Sequence, residues 1–310
     1  MAVNKSINQA VTVGDDMAAR TVKRRRAAAR TRKVAVAGLK QPVTRTIAAE
    51  HRGVVARTFK HTSAGVLVAE GDSWFDYPFH DVLSDLEDMY GFDVESVAHK
   101  GDTVEDMAYS DGQLDDFSRC LEKVLRTGAK PRAILLSGGG NDVAGTEFPI
   151  LLNHATSSIA GLNESVLTGV IDQRLRDAYA TILSAITGVC QRVVGARIPI
   201  VMHGYDYPVA DGRGFWGGWG PLPGPWLEPG FRKKGYAKMT VRDQICIQLI
   251  DRFNEMLAGI AGKGPFAHVR HLDLRNTLPR GAKYKDWWAN ELHPTGRGFE
   301  AVTRKFAAIV

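Results

Sequence analysis

From residue 62 onward, apolar positions fall into two alternating rhythms. The short apolar run at 66–70 reads as a buried strand, and 93–98, 133–137, 197–203 and 268–274 are further strand candidates. Between them lie stretches with apolar residues three and four apart. These predict helices over 78–90, 102–126 (broken near Gly112), 167–190, 236–261 and 295–310. In the third of these, Ile171, Leu175, Ile182, Leu183 and Ile186 share one face. Strands alternating with helices imply a parallel sheet covered on both sides, and the near-continuous apolar strands agree with it. The expectation is an α/β fold with a flavodoxin-like, doubly wound, five-stranded parallel sheet. Sites in such sheets form at the carboxyl ends of the strands.

Two segments break the rhythm. Residues 142–168 have weak periodicity. Residues 205–235 are dense in Gly, Pro and aromatics, with Tyr205, Tyr207, Phe215, Trp216, Trp219, Trp226 and Phe231. Connections this long usually serve as lids or binding walls. The alternative is a loop that packs its own aromatics. Residues 61–310 are read as one domain carrying this insertion.

Charge separates the first 60 residues from the rest. They hold 14 of the 40 Lys/Arg but 3 of the 34 Asp/Glu, so the remainder is mildly acidic. The overall excess of basic residues therefore belongs to an N-terminal arm and implies no basic substrate channel. Residues 17–33 carry Lys23, Arg24, Arg25, Arg26, Arg30, Arg32 and Lys33 among alanines. Ala and Arg favour a helix, but alanines offer such a helix little to bury. A solvated or flexible arm is one expectation. An anionic membrane surface or another polyanion as its partner is the other. The three cysteines, Cys120, Cys190 and Cys246, are widely spaced and odd in number, which suits reduced thiols better than a disulfide framework or zinc site. The start lacks the pattern of a secretory signal, and no apolar run approaches the roughly 20 residues of a membrane span. The expectation is a cytoplasmic protein, with peripheral membrane association through the arm as a variant.

The candidate chemistry sits at the predicted strand ends. Gly71-Asp72-Ser73 follows the first strand, where a serine is exposed beside helix N-terminal amides. Gly101 follows the second; a glycine N–H there can approach a ligand closely. Gly138-Gly139-Gly140-Asn141-Asp142 follows the third. The Asn141 amide can donate to a developing oxyanion, and Asp142 can hold the loop by accepting backbone N–H groups. No Lys-Ser/Thr follows these glycines, which argues against a phosphate loop. His293, in Asn290-Glu291-Leu292-His293-Pro294, follows the last strand. Each block alone is weak. Their order, each at a strand end, is not.

Together the four blocks resemble the SGNH/GDSL hydrolase family, over about residues 65–310. The resemblance implies the SGNH hydrolase fold, with Ser73 as nucleophile and His293 as its general base. It implies an oxyanion hole from the Ser73 and Gly101 N–H groups and the Asn141 side chain. No metal or organic cofactor is implied. The sequence departs from the family where an Asp should stand three residues before the histidine: Asn290 stands there instead. Asn290 can accept a hydrogen bond but supplies no charge. Asp286 and Glu291 are the carboxylates that could take over, and a Ser–His dyad is the other outcome. Trp74 occupies a position where the family commonly has an aliphatic residue, and reads as packing beneath the nucleophile or as a wall of the site. With Tyr205, Tyr207, Trp216 and Trp219 it completes the candidate substrate-binding set. The functional expectation is a serine esterase or lipase. The alternatives are a carbohydrate acetylesterase and a weakly active scaffold that binds through its arm.

Overall fold

The computed structural model describes residues 2–37, 63–110, 112–217 and 222–310. Five parallel strands form the central sheet: β1 (Val66–Glu70), β2 (Asp93–Ser96), β3 (Ala133–Leu136), β4 (Ile200–His203) and β5 (Val269–Leu272). Their order across the sheet is β2-β1-β3-β4-β5, all pairs parallel. This is the expected doubly wound order. β1, β3 and β4 are buried almost end to end, which explains their unbroken apolar runs.

The connections between the parallel strands carry helices that pack in two groups. α2 (Val82–Tyr90) follows β1 and packs against the closing helix α7 (Gly296–Ala307). α3 (Val104–Tyr109), α4 (Gln113–Arg126), α5 (Arg176–Val194) and α6 (Met239–Ile260) follow later strands; α5 packs against α3, α4 and α6. α2 begins four residues later than the pattern predicts. Asp81 caps it, accepting from the Ser84 N–H while the Ser84 hydroxyl accepts from the Asp81 N–H. The predicted 167–190 helix is three pieces: a short helix Glu164–Gly169, a π-helical turn Val170–Leu175, and α5. The weakly periodic 142–168 segment holds a 3-10 helix (Gly145–Leu151) and a two-residue antiparallel pair, Leu152–Asn153 with Gly161–Leu162.

The basic arm is not detached. Residues Ala2–Ala37 form one helix, α1, that lies along α5 as an extra layer outside the sheet's own helices. The two run parallel, with Ala10, Gly14 and Ala18 beside Thr181, Ser184, Ala185 and Gly188. Ala10, Ala18 and Val22 are buried. A Cβ on Gly14 would come within 2.3 Å of the Thr181 carbonyl oxygen. Small side chains thus supply the contact by letting the backbones approach. Part of the arm's charge is met by the domain: Arg24 pairs with Asp115, Arg25 with Glu122 at 2.9 Å, and Asp15 with Arg192 at 2.8 Å. The expectation of a solvated arm is therefore corrected as far as Arg26, which donates to the Arg192 carbonyl at 2.6 Å, whereas Lys23, Arg30 and Lys33 are exposed as expected. The rest of the arm, 38–60, lies outside the described residues. Among the described residues, no helix is long and apolar enough to cross a membrane.

Candidate active site

Ser73 starts the turn that leaves β1. The turn is fixed by Asp72, whose buried carboxylate accepts from the Trp74 N–H (3.0 Å), the Ser137 hydroxyl (2.7 Å) and the Tyr205 hydroxyl. Burial pushes Asp72 upward from its ordinary range, and these donors oppose the shift. Ser137 directly follows β3, and its hydroxyl oxygen also meets His203 Nε2 at 2.8 Å. Gly71 has no room for a side chain: a Cβ would lie 2.7 Å from the Ser137 Cβ.

His293 approaches from the loop before α7. Its Nε2 lies 2.7 Å from the Ser73 hydroxyl oxygen, and its Nδ1 lies 3.0 Å from Asn290 Oδ1. The Asn290 oxygen also accepts the Leu292 and His293 backbone N–H groups at 3.0 and 2.9 Å. Only an oxygen can take both, so the orientation of the amide is settled by the network. Nδ1 must then carry the imidazole proton, and Nε2 presents its lone pair to Ser73. Asn290 Nδ2 donates to the Tyr77 hydroxyl at 3.0 Å, and the Tyr77 ring stacks on the imidazole with centroids 4.3 Å apart. Trp226 meets the imidazole edge-on at 5.4 Å. Burial alone drives His293 down to about 3, since no carboxylate faces its Nδ1.

Three contacts hold the loop carrying Gly101. Asp76 accepts the Lys100 N–H at 3.0 Å. Asp142 accepts the Val104 N–H at 2.9 Å. Asn141 Nδ2 donates to the Asp102 carbonyl at 2.9 Å, which leaves its second proton free for another acceptor. Gly101 sits at φ +93, a conformation that favours glycine. Ser73, Gly101, Asn141 and His293 line one common cleft.

The other candidates separate. Asp286 is exposed on a 3-10 turn, its carbonyl accepts from Thr295, and the His293 Nδ1 it was to orient is taken by Asn290. Glu291 points the other way. It accepts the backbone N–H groups of Gly212, Trp226, Leu227 and Glu228 at 2.7–3.0 Å and so fastens the aromatic segment to the histidine loop. Trp74 is buried beneath the nucleophile, against His203, Tyr205, Trp288 and Phe299, and its Nε1 donates to the Leu292 carbonyl. Tyr205 borders an inner cavity but spends its hydroxyl on Asp72. Tyr207 lines neither cavity at the serine; its hydroxyl donates to Asp251 at 2.8 Å. Trp216 is 72% exposed and lies parallel to Phe79 outside the cleft. Trp219 lies outside the described residues. Sequence reasoning missed the Ser137–His203 support, because nothing in the primary pattern links residues 66 positions apart. Among the described residues, no cluster of His, Cys, Asp or Glu could hold a metal ion.

No family model matches the chain, and no curated protein sequence matches it. Solved structures are similar in chain path. A lipase from a goat rumen metagenome is 15% identical, with 79% of this chain and 96% of that one covered and a TM-score of 0.48. The inhibitor-bound aryl esterase of M. smegmatis is 11% identical, with 79% and 98% covered and a TM-score of 0.43. A carbohydrate esterase family 3 protein from Talaromyces cellulolyticus is 11% identical, with 79% and 95% covered and a TM-score of 0.39. At such identities none of them assigns a role to a residue here. The order of the four sequence blocks resembles that of the SGNH/GDSL hydrolases, and the chain's own coordinates bring Ser73, Gly101, Asn141 and His293 together at the carboxyl ends of the strands.

Proposed function

We propose that the protein hydrolyses carboxylic esters through an acyl-serine intermediate. The observation that carries this reading is the Ser73–His293 contact of 2.7 Å, with the imidazole tautomer fixed by Asn290. A serine hydroxyl needs such a base to attack at neutral pH. Ser73 Oγ bonds to the carbonyl carbon, and its proton passes to His293 Nε2. The oxyanion is met by the Ser73 and Gly101 N–H groups and by the free Asn141 amide proton. The carbon–oxygen bond to the alcohol then breaks, and His293 gives its proton to the departing oxygen. Water repeats the sequence and releases the acid. Asn290 orients the base but leaves the imidazolium without a counter-charge, so the turnover expected is that of a Ser–His dyad.

The test is turnover of p-nitrophenyl butyrate by the wild type and by Ser73→Ala. Loss of about a thousandfold or more in kcat for the variant supports the reading. Equal rates would show that any turnover bypasses the serine.

A sugar-acetate substrate is the second reading. Its support is the exposed, parallel pair Trp216 and Phe79 beside the cleft, a surface on which a sugar ring can stack. Acetate release from acetylated glycan, set against hydrolysis of simple alkyl acetates, separates the two. Association with an anionic surface is the reading for α1, where Lys23, Arg26, Arg30 and Lys33 are exposed and no acid occurs between Met17 and Ala37. Replacing Lys23, Arg30 and Lys33 by Gln should then reduce co-sedimentation with phosphatidylserine vesicles; unchanged binding would sink it.

A further inference from the structure

Two cavities meet at the nucleophile. Ser73, Asn141 and His293 line both. The inner one has a volume of about 50 Å³, and its far walls include Val143, Ala144, Leu227, Leu249 and Phe253, all buried. The outer one has a volume of about 370 Å³; its walls include Tyr77, Phe215, Leu222 and Trp226, with exposed Lys100 and Pro223 at its edge.

We propose that the inner cavity is the acyl pocket and limits the enzyme to short acyl chains, of about two to four carbons, while the outer cleft takes a larger apolar alcohol. The inference rests on the ester-hydrolase reading and deepens it. The first argument is the order of events. The alcohol must leave and water must enter while the acyl group is still bonded to Ser73, so the alcohol's side has to open to solvent. The acyl group stays put until water attacks, so a walled compartment can hold it. The second argument is size. A cavity of about 10–15 Å³ on the same measure holds one water molecule, and an apolar cavity of about 150 Å³ accepts benzene. A cavity of about 50 Å³ falls between them, which suits an acetyl to butyryl chain and excludes an octanoyl or benzoyl group. The third is chemistry. Apart from the groups at the junction with Ser73, the inner walls are mainly aliphatic or aromatic, with Cys246 as a small buried filler. Asp206, a buried carboxylate on the same wall, is already taken by the backbone N–H groups of Tyr207, Asn276 and Leu278 at 2.6–2.8 Å, so the wall favours an apolar chain over a charged or hydroxylated acid.

The experiment compares kcat/KM for p-nitrophenyl acetate, butyrate and octanoate in the wild type, Leu249→Ala and Ala144→Leu. The wild type should favour acetate or butyrate over octanoate by at least about tenfold, since each misfit methylene in an apolar pocket is worth about that much. Leu249→Ala should raise octanoate relative to acetate, and Ala144→Leu should lower butyrate relative to acetate. Should either core variant fail to fold, the wild-type profile decides by itself. A second series with acetate esters of methanol and 1-naphthol should favour the naphthyl ester, and Leu222→Ala in the outer cleft should alter that preference without changing the acyl profile. Octanoate turned over as well as butyrate, in a reaction that Ser73→Ala abolishes, would overturn the acyl-pocket assignment and leave the esterase reading standing. Turnover of none of these esters would remove the reading and the pocket with it.

Discussion

At the scale of single residues, the site is organised by an amide where a carboxylate would supply charge. Asn290 accepts three N–H groups on one oxygen and so sets the imidazole tautomer without an ion. Because burial holds His293 near 3, the free base persists well below the ordinary imidazole range. The acid limb of kcat/KM set by this group should therefore lie far below pH 6.5, the unperturbed value. In Asn290→Asp the new carboxylate keeps the three acceptor contacts and adds a negative charge. It should raise His293, move that limb toward neutral pH and increase kcat, because the imidazolium formed in the transition state gains a partner. Asn290→Ala should lower kcat by on the order of 100-fold, by freeing the tautomer. Asn141→Ala should cost about 10²–10³ in kcat, as an oxyanion donor is lost. Stability follows the same group. The unfolded chain takes up a proton on His293 below about pH 6.5 and the folded one does not. The contribution is thus full above that pH and declines as pH falls from there toward 3. The absence of an acid at position 290 was legible in the sequence. The Tyr77 hydroxyl on the far side of Asn290 was not, because that pair is 213 residues apart and is created by tertiary packing.

At the scale of elements, the three central strands were readable because a sheet covered on both faces needs continuous apolar runs. β1 and β3 coincide with theirs to within a residue. Helix boundaries were less legible. The capping of α2 by Asp81 and the π-turn before α5 depend on hydrogen-bond choices that periodicity does not encode. The aromatic segment illustrates the same limit. Its composition marked it as a binding wall, but its fastening lies elsewhere, in the Glu291 carboxylate that collects four of its backbone N–H groups. In Glu291→Gln one acceptor oxygen becomes a donor, and two N–H groups at 2.7 Å lose their partner or must share. The expected cost is about 1–3 kcal/mol, from unsatisfied buried donors. Urea denaturation measures it. Since Trp226 touches both this carboxylate and the His293 ring, kcat should fall as well, with the acyl-chain preference retained.

At the scale of the whole molecule, the least legible feature was the docking of α1. Counting alanines as poor core residues led to the expectation of a solvated arm. The error is physical. In helix pairing, small residues contribute by permitting close approach, and the gain comes from dispersion contacts along the backbones. Gly14 and Gly188 face that contact: a Cβ on Gly188 would lie 2.8 Å from the Ala18 Cβ, and one on Gly14 would strike the Thr181 carbonyl. Gly14→Val therefore cannot be seated without separating the helices. Overpacking of this kind costs about 1–3 kcal/mol. In a chain of this size that corresponds to a fall in Tm of a few degrees per kcal/mol. α5 reaches the site through Tyr179, whose hydroxyl donates to the Gly138 carbonyl at 2.7 Å, but α1 lies on the opposite side of α5 from the sheet. Gly14→Val should accordingly lower Tm while leaving kcat on p-nitrophenyl butyrate near the wild-type value. An unchanged Tm would mean that α1 does not rest on α5 in solution. A parallel loss of kcat would mean that the helix supports the Gly138–Asn141 turn as well as the fold.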